Sequence, residues 1–105
     1  MNLEDFKKKL IEARNYLIDF GLHVTLHADS KNVSLEEVEE NLRSPGKLAG
    51  IKQEDNNKFI CLFKLSNTLT HKYVIRFKPD ERIIKVITVI KIRNRWQKKV
   101  RKHGR

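Results

Sequence analysis

The apolar residues of this chain change period at Lys58, and that change bounds the fold. Beyond it, Phe59–Leu65, Tyr73–Phe77 and Ile83–Ile92 are dense in β-branched and aromatic residues. Ser66-Asn67-Thr68 and Pro79-Asp80-Glu81 stand between these runs as turn signals, so the second half predicts a three-stranded antiparallel meander. The last run is the most apolar. Ile84, Val86, Ile90 and Ile92 fall on one face and Ile83, Ile87 and Val89 on the other, which predicts the central strand.

Before Lys58 the signals are mostly helical. Leu3, Phe6, Leu10, Ala13, Leu17 and Phe20 alternate steps of three and four, predicting a helix over 3–20. Asn2 is its expected N-cap and Gly21 its stop. Leu22-His23-Val24-Thr25-Leu26-His27 alternates apolar and polar residues, the pattern of a short strand. A second helix opens at Ser34, where Ser34 and Glu37 form an S-x-x-E capping box and Val33 and Val38 occupy the staple positions. Leu35, Val38 and Leu42 give it an apolar face, and Ser44-Pro45-Gly46 ends it. Residues 46–57 read as a polar connection. The expected order is αβαβββ: an α+β fold with an N-terminal helix and a second short helix on a small antiparallel sheet. With 105 residues there is room for one domain, divided into the first helix (1–21), a core (22–92) and a basic tail (93–105).

The net charge of +10 becomes informative once it is located. Residues 1–57 hold 8 Lys/Arg and 11 Asp/Glu, whereas residues 58–105 hold 15 Lys/Arg and 2 Asp/Glu. A highly charged surface kept for solubility explains many charges of both signs but not the segregation of one sign; a polyanionic partner explains both. In the tail, Arg93, Arg95, Lys98, Lys99, Arg101 and Lys102 surround Trp96, the only tryptophan. These residues offer phosphate neutralisation, and Trp96 either stacks on bases or packs on the sheet. The partner expected is RNA or the ribosome, with an acidic protein as the alternative.

Several chemistries lack their residues. There is no G-x-G-x-x-G and no P-loop, and Asp80 and Glu81, adjacent in a turn, are the only acids of the basic half. The single cysteine, Cys61, lies among Phe59, Ile60, Leu62 and Phe63 and reads as a buried small hydrophobe. His23 and His27 are four residues apart, which suits zinc on a helix; on the strand expected here they lie too far apart to chelate. No metal or cofactor is therefore expected. What remains is metal-free cleavage of RNA by its own 2′-hydroxyl, which needs a base, an acid and a cation. His27 and His71 are the candidate proton-transfer residues, and Arg76, held on a strand, is the candidate cation. Acids near the N-terminus, a lone cysteine and the lack of a long apolar run point to a cytoplasmic protein without a membrane segment.

The layout resembles the small RelE-like and colicin-like ribonuclease toxins of the barnase–EndoU–colicin–RelE fold group. The likeness is closest to a small toxin-like family within it, on three stretches in order: His27-Ala28, the helix Ser34-Leu35-Glu36-Glu37-Val38-Glu39-Glu40-Asn41-Leu42, and the strand Lys85-Val86-Ile87-Thr88-Val89. Asp29-Ser30-Lys31 stands where that family carries an arginine. The resemblance implies an endoribonuclease toxin of a toxin–antitoxin pair, with His27 as the active-site histidine, Thr88 as an end-strand position, and an acidic antitoxin as partner. A non-catalytic nucleic-acid-binding or ribosome-associated protein fits the same residues.

Overall fold

Asn2 caps the first helix as expected: its side chain accepts the N–H of Asp5 at 2.8 Å, while Phe6 and Leu10 turn inward. The computed structural model of the protein describes residues 1–28 and 32–93. The helix, α1, spans Leu3–Glu12 and stops well short of residue 20. A turn follows, and Leu17–Asp19 forms a strand, β1. Arg43 explains how the helix can end there. Its guanidinium donates to the carbonyls of Arg14 and Tyr16, oxygens that a continuing helix would have used. Ile18 is then buried in the sheet rather than on a helical stripe.

The stretch expected as a strand is a helix, α2, over Gly21–Ala28. Gly21, at φ +66°, opens it instead of closing the previous one, and its N–H is held by Asp19 Oδ1 at 2.9 Å. Val24 and Ala28, one turn apart, are its buried residues, while Leu22 and Leu26 stay exposed. The third helix, α3 (Leu35–Arg43), begins as predicted: Ser34 Oγ accepts the N–H of Glu37 at 3.3 Å. A single 3-10 turn at Pro45–Lys47 leads into a strand, β2 (Leu48–Gln53), inside the expected connection.

The three predicted strands are present as β3 (Lys58–Lys64), β4 (Leu69–Lys78) and β5 (Ile83–Arg93). The sheet has five strands in the order β1-β5-β4-β3-β2, so β4 is the central strand and β5 lies beside it. All neighbours are antiparallel except β1, which runs parallel to β5 and pairs Ile18 with Ile84, making the sheet mixed rather than antiparallel. Of residues 1–21, Leu17–Asp19 thus joins the sheet, while α1 packs on it through Phe6 and Leu10.

One contiguous core joins Phe6 and Leu10 of α1, Val24 of α2 and Val38 and Leu42 of α3 to alternate residues of the strands. All three helices therefore cover the same face of the sheet. Phe59 packs on Phe6 and Phe77 with ring centroids 4.8 and 5.8 Å apart. A bulge in β5 resets its faces. Pairing passes from Ile75–Val86 to Val74–Thr88, so Ile87 is the extra residue. Val89 consequently enters the core, and Ile90 and Ile92, expected beside Ile84 and Val86, turn to the other side. Among the described residues no helix is long and apolar enough to cross a membrane.

Candidate functional site

Alternation along the strands separates two chemistries. On the covered face, His71 and Tyr73 of β4 lie under α3, both almost inaccessible, with a buried Asn41 from that helix. Asn41 Nδ2 donates to the Tyr73 hydroxyl at 2.9 Å, and that hydroxyl lies 2.7 Å from His71 Nδ1. With its oxygen already accepting from Asn41, Tyr73 donates its own proton to Nδ1, which leaves Nε2–H toward Glu37 Oε1 at 3.9 Å. Burial pulls the His71 pKa below its ordinary value; Glu37 opposes the shift and Lys91 adds to it. Burial also pushes the Tyr73 hydroxyl and the Cys61 thiol up, so both stay protonated. Cys61, inaccessible, donates weakly to the Tyr73 carbonyl at 3.5 Å, as a core residue does.

Among the described residues the opposite face carries no helix. Register places Lys58, Arg76 and Lys85 side by side on β3, β4 and β5. Toward the other end, Lys52 pairs with Ile60, Ile60 with Val74, Leu62 with Lys72, and Lys64 with Thr70. Lys78 pairs with Ile83. Directly opposed like charges destabilise a sheet, so this row is a cost that the core does not require. Two acids moderate it. Asp19 of β1 is in register with Lys85, and Asp55, in the loop between β2 and β3, meets Arg76 Nη2 at 3.1 Å. The N–H of Asn57 holds the Asp55 carboxyl below its ordinary range, and the N–H of Lys58 and the Arg76 guanidinium act the same way.

No protein-family model, curated protein or solved structure matches this chain.

The three candidate catalytic residues occupy different surroundings. His71 is enclosed on the covered face, whereas Arg76 points from the helix-free face of the same strand and is engaged by Asp55. His27 is exposed on α2, at a recess it shares with His23 and Thr88. The lining of that recess includes neither His71 nor Arg76. Of the expected nucleic-acid contacts, Arg93 ends β5 exposed to solvent. Arg95, Trp96, Lys98, Lys99, Arg101 and Lys102 lie outside the described residues.

Besides Arg76, the strands carry cations that the sequence reading did not single out: Lys58, Lys64, Lys72, Lys78 and Lys85. Their signal was present in the sequence. Lys58, Ile60, Leu62 and Lys64 alternate with Phe59, Cys61 and Phe63, and Lys72, Val74, Arg76 and Lys78 alternate with Tyr73, Ile75 and Phe77. Those offsets put the lysines on one face once the aromatic residues are assigned to the other.

Proposed function

We propose that this protein binds single-stranded RNA across the helix-free face of its sheet, with the basic run that follows β5 in sequence adding charge to the same contact. The row Lys58–Arg76–Lys85 carries the reading: three cations in register on adjacent strands. Strands lie about 4.8 Å apart, and Asp55 and Asp19 offset this row only in part, so its remaining positive charge favours a further anion. A phosphate backbone supplies that anion, and Ile60, Leu62 and Val74 between the cations offer apolar contact to sugars and bases. No aromatic residue stands on this face among the described residues. Binding there is therefore dominated by phosphates and tolerant of sequence. The choice of RNA over DNA rests on the sequence resemblance to RNA-acting toxins. Of the stretches that carry it, Leu35–Leu42 and Lys85–Val89 keep their expected helix and strand, while His27-Ala28 ends a helix instead of a strand.

Binding rather than cleavage is the reading, because a proton-transfer histidine and its assisting cation must reach one phosphate. His71 and Arg76 lie on opposite faces of the sheet.

The test is fluorescence anisotropy with labelled single-stranded RNA over a salt series, using Lys72→Glu and Lys85→Glu. Log affinity should fall with log salt by roughly 0.7 for each phosphate neutralised. The two substitutions together should weaken binding by at least about tenfold. Affinity indifferent to salt and to both substitutions overturns the proposal. Failure to bind RNA, with an acidic peptide captured by the same lysines, reassigns the face to an acid-rich protein.

A further inference from the structure

The helical state of residues 21–28 changes the meaning of the His23/His27 spacing. On a strand the two side chains would lie too far apart to share an ion. On α2 they stand one turn apart on one side of the helix, with ring centroids 4.5 Å apart and planes inclined at 47°. Both rings are exposed at the surface. They border a recess of about 20 Å³ whose other walls include Val24, Val33, Val89 and Thr88. That volume is enough for one water-sized species and little more.

We infer that His23 and His27 form a binding site for a borderline-soft divalent metal ion of the first transition row, with zinc as its ordinary occupant. Two nitrogens bound to one tetrahedral zinc at about 2.0–2.1 Å stand roughly 3.3 Å apart. Two imidazoles on one tetrahedral zinc hold their ring centroids about 5 Å apart, near the 4.5 Å separation of His23 and His27. Imidazole selects zinc, nickel or copper over magnesium and calcium, which prefer oxygen. The sequence of α2, Gly-Leu-His-Val-Thr-Leu-His-Ala, places no Lys or Arg on the helix to repel the ion. The valine walls exclude bulk water from one side and strengthen the ion–dipole attraction there.

Among the described residues no group of three His, Cys, Asp or Glu side chains assembles. Among the described residues the two imidazoles are the ligands, and water fills the remaining positions in the recess that Thr88 also lines. A site with open positions is exchangeable, unlike a closed four-ligand structural site. The inference is independent of RNA binding, which is proposed to use other residues.

The test is titration of the metal-stripped full-length protein with Zn²⁺ by calorimetry, paired with NMR of the histidine rings. Saturable 1:1 binding is expected, with ring shifts at His23 and His27. His23→Gln and His27→Gln should each weaken binding by at least about tenfold. Because both rings are exposed, far-ultraviolet circular dichroism should be unchanged in either variant. His103→Gln should bind zinc as the parent does. Absence of saturation up to millimolar zinc, ring shifts confined to His71 or His103, or full affinity in the His23→Gln and His27→Gln variants overturns the site.

Discussion

On the covered face of the sheet, alternate residues of β3 and β4 are Phe59, Cys61, Phe63, His71, Tyr73, Ile75 and Phe77, and every one is almost inaccessible. One residue along the same strands, the helix-free face carries Lys58, Ile60, Leu62, Lys64, Lys72, Val74, Arg76 and Lys78. The first face is selected by volume and by satisfied polar groups; no buried side-chain nitrogen or oxygen among the described residues lacks a hydrogen bond. The second face gains no stability from its cationic row, since Lys58, Arg76 and Lys85 oppose one another across strands. One backbone thus separates the residues that hold the fold from those available to a partner, and substitutions should report on one role at a time.

The sharpest break comes from Phe59, which touches Phe6 and Phe77. Phe59→Ala should cost about 3–5 kcal/mol in chemical denaturation, from lost transfer energy and the cavity left behind. Ile60→Ala, its neighbour on the other face, should cost under about 1.5 kcal/mol. Equal losses at the two positions would dissolve the distinction between the faces.

Tyr73→Phe keeps the ring and removes the hydroxyl shared by Asn41 and His71. Two buried polar groups lose a partner, so a loss of about 1–3 kcal/mol is expected in the same assay. A neutral effect would mean that the polar cluster relaxes onto other partners.

A smaller loss accompanies acidification. The folded-state pKa of His71 lies below its ordinary 6.5, so the unfolded chain takes up the proton first as pH falls. The stability from His71 is complete above about pH 6.5 and declines below it, toward the depressed folded value. Melting temperatures between pH 7.5 and 5.5 should fall more steeply for the parent than for His71→Asn. Parallel curves would remove His71 as the source.

The smallest effect on stability should come from the cationic row. Lys85→Thr relieves repulsion with Arg76, and unfolding free energy should stay level or rise by about 0.5 kcal/mol. RNA affinity should fall in the same protein. A variant that loses stability and keeps its affinity would assign Lys85 to the fold and not to the partner.

The sequence by itself determined whatever depends on neighbours along the chain. Ser34 and Glu37 start α3 through a local hydrogen bond, and alternation in β3 and β4 assigns inside and outside two residues at a time. The charge imbalance after residue 57 is likewise visible in the sequence alone. Tertiary structure decided the rest, wherever a distant partner outweighed local pattern. The helical spacing through Leu17 and Phe20 yielded because β5 had a free edge for Leu17–Asp19 and Arg43 took the carbonyls that the shortened helix released. β1 takes that edge only over Ile83–Lys85, and residues 21–28 are helical against β5 despite their alternating pattern, burying Val24 and Ala28. One bulge at Ile87 then exchanged the faces of everything after it, because a two-residue period has no tolerance for a single insertion. The separation of His71 from Arg76 and the approach of His23 to His27 follow from which side of each strand or helix faces the core, and that is fixed only when the elements pack.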